Sequence, residues 1–334
     1  MASLDPHPMF SKTAVVIVTD AGFLLPSVVL ATSIAAEPRY RPLCDVLVYV
    51  LDHSQDHLDA LRLEFGQAGL VFHGIRSADL ALPTTSTNFG GHVPVAALAR
   101  LTISDFVPDR YEDIVYLDGD TSVVGDIAPL LSARLPLGAV AAAPENFIML
   151  DGRADLPPWL STTLNEVGLS SPRDYFNSGV MAFRADTWRS VGRDAMAFYV
   201  ANEAKCRHHD QSALNAVLSG RWLRLGLSYN FQSFFVPIVA ADHIPRRLLH
   251  FSSSPKPWAS PNSYWGADVG APYRKLSKLH PGLFSTVVGT EADFARRKIP
   301  WVRDLKRRVK YLLAHGDKGR NLRTYLREES FFLE

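Results

Sequence analysis

Two carboxylates, Asp118 and Asp120, follow directly on the apolar run Ile114-Val115-Tyr116-Leu117. Side chains two apart on a strand face the same way, so a strand end of this kind presents both carboxylates to one divalent cation. Asp-Gly after a strand is also a plain turn signal, and the triplet alone does not decide between the two. Three downstream segments could complete a site. In Tyr175–Met181, Asn177 and Ser178 can hydrogen-bond a hydroxylated ligand and Gly179 permits close backbone approach, although a capped strand with a small bulge would read the same. In His209–Asn215, Asp210 reads as the N-cap of a helix, and Gln211 is a first-turn amide pointing beyond the helix start, where anions are also favoured. In His250–Trp258, a neutral imidazole suits Mn²⁺ as a third ligand beside two carboxylates, with Mg²⁺ as the alternative ion. Lys256 adds a point charge for phosphate, while a lone histidine after a strand is otherwise an ordinary core or surface residue.

These residues need elements to carry them. The β-branched run Thr13–Thr19 reads as a strand buried on both faces, followed by a helix over 24–36. A strand over 45–51, an amphipathic helix over 55–67 and a strand over 70–75 come next. A helix over 94–106 then leads into the strand 113–117 that delivers the carboxylates. This alternation predicts an α/β fold with an open sheet and ligands at the strand ends. Beyond Asp120, strands are expected over 137–143 and 176–183, and helices over 185–205 and 210–218. Residues 144–175 form an excursion over the site, and prolines and glycines mark a linker near 255–275.

With 334 residues and 47% hydrophobic content, the chain can bury one large core or two modest ones. No window approaches the twenty or so apolar residues that span a bilayer, and no secretory leader is evident. Cys44 and Cys206 lack paired spacing, so no disulfide framework is expected and the cytoplasm is the default compartment. The net charge of +1 hides an asymmetry: residues 296–327 hold twelve Lys or Arg against two Asp, +10, which leaves −9 for the rest.

Taken in order, Val18-Thr19-Asp20, Arg100-Leu101, Tyr116–Asp120, Phe176–Val180, Asp210–Asn215 and His250…Lys256-Pro257-Trp258 resemble family 8 of the retaining glycosyltransferases. The family includes glycogenin and the bacterial lipopolysaccharide galactosyl- and glucosyltransferases, and the resemblance covers about residues 13–260. It implies a GT-A type nucleotide-sugar-binding fold with an open mixed sheet, over 1–260. A linking and packing segment over 261–295 and a small basic helical appendage over 296–334 would follow. It implies a UDP-sugar-dependent hexosyltransferase acting on a glycan or glycolipid acceptor such as lipopolysaccharide core. Asp118, Asp120 and His250 would hold Mn²⁺. Asp20 would bond the uracil and Phe23 stack on it; Arg100, Asn177 and Asp210 would grip the donor sugar; Lys256 would neutralise the leaving diphosphate, with Ser253 near the phosphate; Thr19, Gly119 and Ser178 would also bind the donor. Gln211, with Asp210, would be catalytic at the anomeric carbon. An amide there implies front-side attack within an ion pair rather than a stable glycosyl ester. The family commonly has Gly at the position of Ser253 and an acid near the end of the strand 137–143, where this chain has Ala141-Ala142-Ala143 and then Glu145.

The tail carries an apolar stripe, Val302, Leu305, Val309, Leu312 and Leu313, behind Pro300 and flanked by Arg303, Lys306, Arg307, Arg308 and Lys310, with Gly316 at its end. Such a helix fits either an anchor on an anionic membrane, at the inner face, or a helix packed on the catalytic unit with a solvated basic face. Nucleic acid is a poorer partner for an aliphatic stripe on an acidic body. An acceptor groove is expected from 144–175 and from Tyr229, Phe231, Phe234 and Phe235, aromatics that could equally be core. Two rivals remain: a UDP-sugar-binding protein without catalysis, and a haloacid-dehalogenase-type phosphatase using Asp118-Gly119-Asp120-Thr121, for which His250 and Lys256 would have no role.

Overall fold

The β-branched run at the N-terminal side becomes β1 (Thr13–Thr19), buried along its whole length. The computed structural model describes residues 12–80, 95–152, 155–266, 268–295 and 316–334, and 305, 306 and 309 singly. After β1 come α1 (Leu24–Ala35), β2 (Cys44–Leu51), α2 (Gln55–Phe65), β3 (Leu70–Ile75), α3 (Val95–Ala99), β4 (Asp113–Leu117) and β5 (Thr121–Val123). The next elements are α4 (Ala128–Leu131), β6 (Val140–Pro144), α5 (Pro158–Glu166), β7 (Phe176–Arg184), α6 (Ala185–Asn202) and α7 (His209–Leu218). Short strands β8 (Leu223–Arg224), β9 (Phe231–Gln232) and β10 (Leu248–His250), then α8 (Ala271–Leu279) and a C-terminal helix (Gly316–Glu328), complete the main elements.

Seven strands form one mixed sheet in the order β3-β2-β1-β4-β7-β6-β8. The first four are parallel, and β7 runs antiparallel to both β4 and β6. Alternation along β1 sends Val15 and Ile17 into a core with α1 and α2, and Ala14, Val16 and Val18 into a core with α3, α6 and α7. A second sheet, β5-β10-β9, grows from the residues just after the carboxylate pair. Beside it a third core joins Phe251, Trp258 and Tyr273 to Leu322 and Tyr325 of the C-terminal helix.

Three expected elements differ in extent. The helix expected over 94–106 is α-helical among the described residues only as Val95–Ala99, followed by tight turns. The Arg100 carbonyl is taken by the Trp188 indole at 2.7 Å, and Leu101 lies so close to α6 that a Cβ on Gly192 would meet its carbonyl at 1.9 Å. Those carbonyls face α6 and cannot continue a helix. The strand expected from 137 starts at Val140, because Pro136–Ala139 turns through a positive φ at Gly138, whose N–H donates to Thr187. At the C-terminus Gly316 does not end a helix but lies in one that runs to Glu328 among the described residues. This helix is pinned by the buried Leu322 and Tyr325 and by Asn321 donating to the Met149 carbonyl. Most of the stripe expected over 300–313 lies outside the described residues; Leu305 and Val309 are exposed.

Candidate functional site

Asp118 directly follows β4, and a turn rather than strand alternation brings Asp120 beside it. The Thr121 N–H and hydroxyl both donate to the Asp118 carbonyl, at 3.0 and 2.8 Å, and the Asp118 N–H donates to the Gly179 carbonyl at 2.8 Å. The turn then runs straight into β5. Antiparallel pairing of β5 with β10 sets Leu249 opposite Ser122 and His250 opposite Thr121, and the Phe251 N–H donates to the Asp120 carbonyl. That register carries an imidazole from far down the chain to the acidic turn. His250 Nε2 lies 3.4 Å from Asp120 and 3.9 Å from Asp118, and one donor atom from each of the three groups falls within 4.8 Å of the others. Ligands about 2.1 Å from an octahedral ion stand roughly 3 Å apart, so small side-chain movements would close the set on a cation.

The surroundings fit a metal. His250 Nδ1 is 2.9 Å from Asn230 Oδ1, which holds the proton on that nitrogen and leaves the Nε2 lone pair towards the carboxylates. Gly179 makes the room: a Cβ there would sit 2.4 Å from the imidazole and 2.8 Å from Asp118. Gly119 is equally confined, against Ser27. Lys256 donates to Asp120 at 2.8 Å and to the Phe251 carbonyl.

On the other side of Asp118 lies Arg100, buried, with its guanidinium on Asp118 at 2.9 Å and on Asp210 at 3.1 Å. It also donates to the Ser178 carbonyl and hydroxyl. Ser178 holds the next pair: its hydroxyl donates to Asp210 and its N–H to the Gln211 side-chain oxygen at 3.0 Å. The Gln211 amide donates in turn to Glu145 at 3.0 Å, as does that of Asn177 at 2.8 Å. Asn177 also receives the Asn230 amide, so the metal cluster and the Gln211 network form one continuous web. The bulge in β7 makes this possible: Ala142 pairs with Met181 but Ala143 with Asn177, so Ser178–Val180 have no partner on β6, and Ser178 and Gly179 turn to the site while Val180 stays paired with Leu117.

The description Glycosyl transferase family 8 matches residues 14–261 of this sequence. The chain belongs to that family. Among its relatives, a lipopolysaccharide glucosyltransferase, WaaO of Escherichia coli K12, is 26% identical over 285 residues, 79% of each chain. A lipopolysaccharide 1,3-galactosyltransferase of Salmonella typhimurium is 24% identical over 60% of this chain and 61% of its own length. The solved galactosyltransferase LgtC, in complex with donor and acceptor sugar analogues, matches with a TM-score of 0.63 at 20% identity, over 84% of this chain and 98% of that one. The shared fold is of GT-A type.

In this family 8 chain the expected site residues fall into two groups. Arg100, Asp118, Gly119, Asp120, Asn177, Ser178, Asp210, Gln211, His250 and Lys256 meet in the connected web just described. Thr19, Asp20 and Phe23 lie at the end of β1, where Asp20 accepts from the Phe23 N–H at 3.1 Å and the Lys256 ammonium stands 5.8 Å from the Phe23 ring. Ser253 is half-buried just after β10. Asp210 is not the N-cap expected of it: α7 starts at His209, held at a positive φ of 49°, and the Asp210 carboxylate turns inward to Arg100 and Ser178. Of the aromatics expected in an acceptor groove, Tyr229, Phe231 and Phe235 are core, and Phe234, 40% exposed, is the one that faces a cavity. Asn230, which orients His250, carries no signal in sequence; only its pairing through the β9–β10 region reveals it.

Burial and charge tune these groups in opposite directions. For Asp120, burial opposes ionisation, but His250 and Lys256 outweigh it and hold the carboxyl below its usual range. For His250, burial opposes protonation, but Asp120 and then Asp118 outweigh it and raise the imidazole. Asp210 moves the other way. Burial pushes it up to about 6, with Arg100 resisting and Asp118 adding to the rise. Its folded-state pKa is above the ordinary carboxylate value, so the proton stays on until the pH passes about 6 and the full Arg100–Asp210 ion pair exists only above that. The stabilisation from the raised pKa is present at lower pH and lost as pH rises through about 6. Donor kcat/KM in the free enzyme should therefore fall about tenfold per pH unit below that point. A pH profile of Asp210→Asn at saturating Mn²⁺ checks the assignment, because its residual activity should lack this acid limb.

A cavity of about 460 Å³ opens beside Gln211 and Asn177. Glu145, His208, Trp159, Phe234 and Ser252 line it, with Lys318 of the C-terminal helix.

Proposed function

We propose that this family 8 glycosyltransferase moves a hexose from a UDP-sugar, with retention, to a glycan or glycolipid acceptor. The observation that carries the reading is the convergence of Asp118, Asp120 and His250, with Lys256 on one side and Gln211 on the other. Mn²⁺ held by the three ligands would supply Lewis-acid stabilisation of the negative charge that develops on the diphosphate. Lys256 adds direct Coulomb attraction to the same charge. Arg100 fixes Asp118 and Asp210 together, so the ligand cluster and the sugar-facing residues keep one geometry. Gln211 has its oxygen aligned by Ser178 and its nitrogen by Glu145. That leaves a lone pair for a positively charged anomeric carbon.

An amide is a poor nucleophile and forms no stable glycosyl ester, which favours front-side attack by the acceptor hydroxyl as the diphosphate leaves. The departing phosphate oxygen takes the hydroxyl proton. The acceptor sugar occupies the cavity beside Gln211, where Trp159 and Phe234 present aromatic surface. The sequences of WaaO and the Salmonella relative bear the names of lipopolysaccharide transferases, which supports a lipopolysaccharide-type acceptor here. The excess of basic residues over 296–327 supports contact with an anionic membrane surface. No helix among the described residues is long and apolar enough to cross one.

UDP release from UDP-glucose, UDP-galactose or UDP-galacturonate should require Mn²⁺, and chelation with EDTA should abolish it. Failure of all three donors to turn over would leave the binding-only alternative. Trapping a sugar ester on Asp210 would overturn front-side attack.

A further inference from the structure

The C-terminal helix is not an independent appendage. Its Leu322 and Tyr325 are fully buried, Asn321 donates to the Met149 carbonyl, and Glu328 pairs with Arg173 at 3.1 Å. Beyond it, Glu329 pairs with Arg224 and Leu333 bridges to Leu225, so the last residues of the chain are fastened to the edge of the main sheet. This docking brings Lys318, from the first turn of the helix, to the wall of the cavity beside Gln211.

The polar groups of that wall do not have the same standing. Glu145, the carboxylate there, has one oxygen on Asn146 and the other on Asn177 and Gln211, and is committed to positioning amides. The Ser252 hydroxyl is buried without a hydrogen-bond partner, and the His208 imidazole makes no hydrogen bond among the described residues. His208 packs edge-on to Phe147 and Tyr175, and burial keeps it below its usual pKa, so it is a neutral polar group. Lys318 is therefore the cation in the lining. Exposed Arg320, Arg323 and Arg327 continue along the same helix.

We infer that the acceptor is an acidic sugar, one bearing a carboxylate or phosphate, and that Lys318 reads this charge. The inference rests on the reading of the cavity as the acceptor site. An anion brought next to a UDP-sugar is repelled by the diphosphate, and an ammonium on the cavity wall offsets that repulsion where it is felt. Trp159, 50% exposed, and Phe234 offer flat apolar faces to the ring, while Ser252 and His208 supply hydrogen bonds to hydroxyls. The arginines outside raise the local concentration of anions at the mouth. Because the helix is already fastened, no ordering of the chain is needed when the acceptor arrives.

The test is calorimetric titration of the full chain, with UDP and Mn²⁺ saturating so that the donor site is filled. Titrants are glucose 6-phosphate and galacturonate, against methyl glucoside and methyl galactoside. The acidic sugars should bind at least about tenfold more tightly than the neutral ones, and the advantage should shrink at high salt. Lys318→Ala should erase the advantage and Lys318→Arg should keep it, with Lys318→Gln as a second neutral variant and melting temperature as the check on folding. Phosphate and carboxylate titrants report separately on the two anion classes. Equal binding of acidic and neutral sugars in the unmodified protein, or an advantage that survives in both Lys318→Ala and Lys318→Gln, overturns the assignment. Titration of UDP alone reports on the donor reading independently, so the two can fail separately.

Discussion

Asp120→Asn is expected to lower Mn²⁺-dependent UDP release by about three orders of magnitude. A metal at a leaving diphosphate contributes several kcal/mol of charge stabilisation, and each 1.36 kcal/mol is a factor of ten in rate. On the proposed reading, Asp120 serves both cations of the site, Lys256 and the metal. One oxygen faces His250 at 3.4 Å and the other accepts from Lys256 at 2.8 Å, in a turn whose carbonyl is also bonded to Phe251. Asparagine keeps the shape and one acceptor oxygen but removes the charge. Lys256 then loses the anion that fixes its position, and the cation loses a hard ligand. Manganese titration should show weakened binding with little change in melting temperature. The apo site adds a second signature. Asp120 and Asp118 raise the His250 imidazole against the effect of burial, so an entering metal must displace a proton. Manganese affinity of the unmodified protein should rise with pH, and the slope should flatten in the variant. Unchanged manganese affinity in Asp120→Asn would remove this carboxylate from the metal site.

The residues that make this site were readable in the sequence to very different degrees. Thr13–Thr19 and Ile114–Leu117 announce themselves, because a parallel strand covered on both faces has no choice but a continuous apolar run. The acidic turn after β4 follows from the same run. What placed His250 beside it is different in kind. Asp120 and His250 are 130 positions apart, and their proximity rests on the pairing of two three-residue strands, β5 and β10, too short to leave a periodic pattern. Order within the family motifs pointed to the pair where periodicity could not. The break after α3 was hidden for a related reason: residues 94–106 have helical composition, but the Arg100 carbonyl bonds Trp188 and the Leu101 carbonyl packs against Gly192, about ninety positions later. Phe231 and Phe235 illustrate the opposite limit. An aromatic residue on a short irregular segment gives no indication of which side is core, and only packing against Trp265 and the third core settles it. The end of the chain left an anchor and a packed helix as alternatives, because its basic composition hides the buried Leu322–Tyr325 pair that holds residues 316–328 to the body.

Glu145 connects these limits to catalysis, and Glu145→Ala should lower kcat by about a hundredfold while leaving UDP affinity nearly unchanged. Glu145 lies just past three consecutive alanines, after Pro144. The backbone leaves β6 there in an extended conformation and the carboxylate folds back under the site, 6% exposed. One oxygen takes the Asn146 N–H at 2.8 Å; the other takes the amides of Asn177 and Gln211. Truncation leaves those two amides without an acceptor in a buried position, at a cost of roughly 1–3 kcal/mol each. Asn177 keeps its bonds to Gly179 and Asn230 and stays in place. Gln211 keeps its side-chain oxygen on the Ser178 N–H at 3.0 Å and hydroxyl at 3.4 Å, but its NH2 loses the Glu145 acceptor and becomes free to swing. Displacing a group by about 1 Å at the reacting carbon can cost a factor of 10². The diphosphate side is untouched, since Asp118, Asp120 and Lys256 make no contact with Glu145. Steady-state rates with a separate UDP titration distinguish the two effects. A matched loss of UDP affinity and rate would make Glu145 a general support of the fold; a loss confined to kcat, partly restored in Glu145→Gln, would mark it as the residue that aims Gln211 at the anomeric carbon.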